Sequence, residues 1–448
     1  MLIRFSDHFT CKKLLRITFP SMVMLVFTSI YSVVDGFFVS NFVGKSAFTA
    51  VNFIIPFLMI LGAVGFMFGT GGSALIAKTL GEGDRERAGR LFSMVVYASV
   101  ALGVVLATAG FALLRPLLEA LGAEGELLEN CIVYGRIILL ANPMYILQYE
   151  FQCLFATAGK PALGLYVTVA AGLTNMVLDA VFVAVLPWGV AGAAAATALS
   201  QCVGGLVPLV YFALPNNSLL RLGGMKPEIR ALARVCANGA SELMSNISIP
   251  LVSMVYNLQL LAMAAEDGVA AYGVLMYVSL VFQGIFLGYS VGVAPVVSYH
   301  YGARNAAEVR GILRRSLGLI AGFSVAMFAA ACALAQPLAR MFVGYDQALY
   351  DLTVRAFGIF SFSFLFTGFA IFGSAYFTAL NNGLVSAVIS FLRTLLFQIA
   401  AVLLLPLVWQ VDGIWAATAA AELMAALVAG VFLWLGRDSV VVGGAPSG

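Results

Sequence analysis

The sequence predicts an all-α membrane protein of twelve transmembrane helices, arranged as two six-helix lobes related by a pseudo-two-fold axis along the membrane normal. Three observations predict it. The 448 residues are 62% hydrophobic and 10% charged, with a mean hydropathy of +1.00, whereas about a quarter of a soluble domain is charged. The apolar residues gather into twelve runs, each long enough at about 1.5 Å per residue to cross a roughly 30 Å hydrocarbon layer. The second half of the chain repeats the first at a nearly constant offset.

The first half, 1–213, holds runs at 14–38, 48–76, 92–114, 130–156, 162–185 and 190–213. Lys12 and Lys13 precede the first run as in a secretory signal, but the run is too long and lacks a small-x-small cleavage site, so it reads as a retained spanning helix. A polar stretch at 214–234 follows as a linker. The second half, 235–448, holds runs at 235–261, 269–298, 314–335, 354–379, 384–407 and 413–436.

Basic residues set the orientation. Of the 24 Lys and Arg, 18 fall in the N-terminus, the even-numbered connections and the C-terminal end. Five fall on the opposite side and one, Arg393, within a run. The excess places both termini and the linker on the cytoplasmic face of the membrane.

The duplication is visible in paired segments. SALIAKTLGEGDRERAGR (73–90) answers to APVVSYHYGARNAAEVRG (294–311), with Gly81 opposite Gly302; ATAGKPALGLY (156–166) answers to TALNNGLVSAV (378–388), and WGVAGAAAATA (188–198) to DGIWAATAAAE (412–422). Six helices return the second copy to the same orientation, so the halves are parallel repeats facing each other across a central cavity.

Several classes are excluded. The net charge of +3 has no Lys/Arg block behind it, which argues against nucleic acid. The six cysteines stand singly with no CxxC or CxxH spacing, so neither a disulfide framework nor a metal centre is expected. The two histidines, His8 and His300, lie at helix ends and no HExxH occurs, so an intramembrane enzyme is not expected. The GxxxG spacings at Gly65/Gly69 and Gly284/Gly288/Gly292 are explained by close helix packing.

Charged side chains inside the bilayer are costly and mark function. Six fall within the runs: Asp35, Glu150, Asp179, Glu242, Glu422 and Arg393. Counting helical rise places Asp35, Asp179 and Thr197 in the outer half of the first repeat, and Asn175 shares a helix face with Asp179 one turn on. Asp35, Asn175, Asp179 and Thr197 would form an oxygen-rich cluster able to take a proton or a hard monovalent cation such as Na⁺. The alternatives are an Asp35 that snorkels to the interface and an Asp179 held by a structural hydrogen bond. No acid stands at the positions of the second half that answer to Asp35 and Asp179. Arg393 and Glu422 come out at one depth, as for a structural ion pair, with Glu242 as a possible third member of a C-lobe polar network. Glu150 is left open. Pro20, inside the first helix, frees a backbone carbonyl and permits a bend, whether moving or static.

The run of motifs from TFPSMVMLVFTSIYSVVDGFFV through NFIIPFLMI, GEGDRERAG, ATAGKPALG and TNMVLDAVFV resembles the MATE family of multidrug and toxic-compound extrusion transporters. GYSVGVAPVVSYHYGA and SFLRTLLF are similar to its MepA-like bacterial branch. The resemblance implies that Asp35, Asn175, Asp179 and Thr197 bind the coupling cation in the N-terminal lobe, and that Pro20 is the proline linked to bending of the first helix. It implies a monomeric antiporter of a prokaryotic inner (plasma) membrane that exchanges H⁺ or Na⁺ for small organic cations or drugs by alternating access, with no cofactor beyond that ion. A flippase for a lipid-linked anionic precursor is the alternative within the same architecture, and it would want a basic cavity.

Overall fold

A computed structural model of the chain describes residues 5–38, 42–43 and 45–436; Arg4 and Arg437, both used to assign orientation, lie outside them. The first half contributes α1 (Cys11–Phe38), α2 (Lys45–Gly81), α3 (Arg85–Ala120), α4 (Gly125–Thr157), α5 (Pro161–Val185) and α6 (Gly189–Ala213). A helical stretch, Ile229–Gly302, follows and is broken at Ala265, where φ is 51° and ψ is −149°. It therefore makes two crossings, α7 (229–264) and α8 (266–302). The second half continues with α9 (Ala306–Val343), α10 (Gln347–Ala379), α11 (Gly383–Leu404) and α12 (Pro406–Gly436). The twelve expected helices are present among the described residues, and no strand is. Most run past their apolar segments. For example, α3 begins at Arg85 although its apolar run begins near 92, because its first turns carry charges beyond the hydrocarbon layer.

The turns that follow α2 and α8 match. Asp84 caps α3 by accepting from the Arg87 N–H at 2.9 Å, and at the equivalent place in the second half Asn305 caps α9 by accepting from the Glu308 N–H at 3.1 Å. Side-chain caps of this kind satisfy N–H groups that the first helical turn leaves unpaired. The residue before each cap has a positive φ, 89° at Gly83 and 55° at Arg304.

At the same end of the bundle the two halves meet backbone to backbone. A Cβ added to Gly81 would lie 1.9 Å from the Tyr299 carbonyl oxygen, and one added to Gly302 would lie 2.0 Å from the Lys78 carbonyl oxygen. Lys78 and Tyr299 are themselves equivalent positions of the two halves, paired by the same offset as the two glycines, so the crossing is reciprocal. Asn238 of α7 donates to Asn381 Oδ1 at 2.9 Å beside it, and Asn381 donates to the Ala74 carbonyl of α2 at 3.3 Å. The α8 glycines pack as expected, with Gly288 against the backbone of Met22 and Ser21 on α1. The α1 helix continues unbroken through Pro20.

The segment before α1 packs on the second half. Phe5 and Phe9 are buried with Val293, Val296, Val309 and Ile312. Glu308 clamps this segment, pairing with His8 Nδ1 at 2.7 Å and accepting from the Phe9 N–H at 2.9 Å.

Candidate cation site and central cavity

Asp35 arrives on the last turns of α1, and Asn175 and Asp179 on one face of α5. A π-helical turn over Ala180–Val185 follows Asp179 directly; such wide turns break the regular hydrogen-bond ladder and recur at functional positions. The structure brings the four sequence-selected residues together. The Asp35 carboxyl lies within hydrogen-bonding reach of Asp179 and Asn175, and Asn175 Nδ2 donates to Thr197 Oγ1 at 3.5 Å. Asp179 is fully buried and Asn175 nearly so.

Two facing carboxyl groups can share a hydrogen bond only when one of them holds a proton. Without it, the two carboxyl groups offer acceptors alone. Asp35 Oδ1, both carboxyl oxygens of Asp179 and Asn175 Oδ1 are buried with no donor directed at them. An unmet buried polar atom costs about 1–3 kcal/mol, so four in one place make a site suited to a proton or a small oxygen-seeking cation. Thr197 spends its proton on the Ala193 carbonyl at 3.1 Å, which leaves lone pairs for the cluster.

Two tyrosines join the site without having stood out in the sequence. Tyr134 of α4, 4% exposed, reaches the Thr197 hydroxyl and lies near both carboxyls. Tyr31, one turn before Asp35, bonds Gln148 and stands near Asp35. A tyrosine toward the end of an apolar run reads as an interfacial ring, so only its packing reveals this placement.

The second half carries a neutral counterpart. The offset that pairs Gly81 with Gly302 also pairs Asp35 with Tyr256, and it aligns VAGAAAAT (190–197) with VDGIWAAT (411–418), which corrects the pairing of 188–198 with 412–422 and sets Thr197 opposite Thr418. The Tyr256 hydroxyl bonds Gln398 Oε1 at 2.8 Å and lies 3.1 Å from the Thr418 hydroxyl. Here the polar groups satisfy one another, and none of the three is charged.

Deeper in the second half, Arg393 Nε donates to both oxygens of Glu422 at 2.9 and 3.2 Å, with both side chains largely buried. Glu242 feels the Arg393 charge without forming an ion pair with it. It lines a small cavity between the halves, with Thr70 and Ser73 of α2 and Ser290 of α8. Glu150 accepts from Ser99 across the α3–α4 contact, and its other oxygen is buried without a donor.

Comparison with known proteins fits this architecture. The chain is 25% identical over 301 residues to the multidrug export protein MepA of Staphylococcus haemolyticus, spanning 67% of this chain and 66% of that protein. It is 23% identical over 449 residues to MepA of Staphylococcus saprophyticus, spanning 98% and 96%. A structure described as the outward-facing conformation of a multidrug resistance MATE family transporter of the MOP superfamily superposes with a TM-score of 0.92, at 22% identity and 97% coverage of each chain. The model of the MatE family matches residues 20–181 and 243–404, one segment in each half, and the chain belongs to that family.

Proposed function

We propose that the chain is a cation-coupled antiporter, in which inward movement of a proton or sodium ion through Asp35 and Asp179 drives export of amphipathic, often cationic organic compounds. The observation that carries this reading is the contrast between the halves. The first holds two facing carboxyls with unmet oxygens, and the second holds a neutral, self-satisfied triad in the corresponding place. A coupling ion has to favour one conformation over the other, and a site whose charge changes with occupancy supplies that bias. Asn175 and Thr197 complete the site, and Pro20 allows α1 to respond to it. The names of the relatives as multidrug export proteins support the same reading.

In this reading the lobes are 1–213 and 235–448, joined by the cytoplasmic linker 214–234, with both termini cytoplasmic in the plasma membrane and the monomer as the working unit. Among the described residues no Lys, Arg or His lines the central cavity, whereas Glu242 does, which favours cationic cargo over a lipid-linked anion. The test is efflux of a cationic dye from proteoliposomes under separately imposed pH and sodium gradients. Gradient-driven efflux that persists in both Asp35→Asn and Asp179→Asn would sink the assignment.

A further inference from the structure

Between the Asp35–Asp179 cluster and the end of the bundle that holds the Gly81–Gly302 crossing, the core of the first lobe stays polar. On α6, Gln201 lies one turn from Thr197 on the same face, and Gly204 follows it. On α1, Tyr31 lies one turn from Asp35 in the same direction and bonds Gln148 of α4. Gln148 rests on Gly204, where an added Cβ would lie 2.6 Å from the Gln148 Cγ. Gln152 continues the α4 face by one further turn. Gln148, Gln152 and Gln201 are only 4%, 3% and 6% exposed. Among the described residues, Gln148 Oε1, Gln201 Oε1 and both polar atoms of the Gln152 amide have no hydrogen-bond partner.

Buried amides without partners destabilise a lobe that leucine, of similar size, would fill without that penalty. Their placement in a row from the cation cluster gives them a use. Buried water takes about two to four polar partners, and amide oxygens are ligands for hard cations. A file of water, or a partly dehydrated cation passing from one amide to the next, meets the groups that the protein leaves unmet. Gly204 keeps the row continuous, since only a residue without a Cβ leaves Gln148 its space against α6. We infer that the interior of the first lobe is an ion path, in which the ion of the Asp35–Asp179 site passes to and from the Gly81–Gly302 end along Gln201, Gln148 and Gln152, apart from the cavity between the lobes. That this ion drives export rests on the antiport reading; that it moves along these amides does not.

The test measures ion movement itself in proteoliposomes of the full chain, with ethidium present as cargo. Trapped pyranine reports H⁺ entry under a pH gradient, counted ²²Na⁺ reports sodium entry under a sodium gradient, and ethidium efflux is followed separately. Gln152→Leu removes both unmet atoms and keeps the volume. The expected result is ion entry slowed about tenfold, the scale of one lost polar partner, with an unfolding temperature no lower than that of the wild type. Equilibrium occupancy of the site, titrated as ²²Na⁺ binding or proton uptake by the purified chain, should stay within about twofold. Gln148→Leu should slow entry to the same degree, and Gln152→Asn, which keeps an amide, should recover part of the rate. If Gln152→Leu does not fold, Gln148→Leu decides. Entry at the wild-type rate in both leucine variants overturns the inference. So does a slowing matched by lost equilibrium affinity, which marks a ligand of the site itself, or the absence of ion entry in the wild type. Ion entry that depends on these amides while ethidium stays inside counts against the antiport reading alone.

Discussion

The Tyr256 hydroxyl, 2.8 Å from Gln398 Oε1, occupies in the second half the place that the Asp35 carboxyl occupies in the first. One duplicated position thus carries a neutral donor in one copy and an acid in the other. The neutral copy has its hydrogen bonds met within its own lobe, and the charged copy leaves carboxyl oxygens unmet. Tyr256→Phe leaves the largely buried Gln398 acceptor without its donor, and the expected loss is about 1–3 kcal/mol of stability. Thermal unfolding in detergent should register it, while dye efflux from the folded fraction keeps its dependence on the imposed gradient.

Asp35→Asn and Asp179→Asn are each expected to reduce gradient-driven efflux by about tenfold or more, the scale of a typical coupling between sites. Because the two carboxyls face each other and, in the proposed antiport, act on one ion, the double variant should be little worse than either single one. Proteoliposome efflux rates measured side by side check this; multiplying losses would show two independent sites.

Glu422→Gln strands a buried guanidinium. Removal of one member of a buried pair costs about 3–5 kcal/mol, whereas replacing both by apolar residues of similar size is often neutral. Glu422→Gln should therefore unfold at clearly lower temperature than the wild type, and Arg393→Met with Glu422→Leu should recover most of the difference.

Glu308→Gln weakens the clamp on residues before α1, since a neutral amide pairs less strongly with His8 and the Phe9 N–H than a carboxylate does. Faster hydrogen exchange over residues 5–14 is the expected outcome, with exchange in α4 and α5 unchanged.

Much of this is legible in the sequence for a simple reason. In lipid each spanning helix must be long and apolar, so twelve helices can be counted, and a charge among them stands out by its cost. Asp35, Asp179 and Thr197 share a depth, and helical spacing adds Asn175. Arg393 and Glu422 share a depth in the same way, and their ion pair is present. The tyrosines do not stand out, because Tyr134 and Tyr31 are ordinary members of apolar runs until packing aims them at Thr197 and Gln148. Tyr256 is passed over when the repeat is read for a second acid, since its chemistry differs from that of its counterpart. The cavity is hidden too. Thr70 and Ser290 are routine small residues of packed helices, and only the meeting of α2, α7 and α8 turns them into a wall with Glu242.

The crossing at Gly81 and Gly302 has a mechanical consequence. Each glycine rests on a carbonyl of the other half, with no side chain between them to bend, interlock or give way. A joint of bare main chain cannot tighten further, so the halves close on each other there as a clasp with no slack. A single methyl group on either glycine would wedge the clasp ajar, and Gly302→Ala should leave a folded chain that no longer completes its cycle, a defect that efflux measured beside thermal unfolding would separate from simple instability.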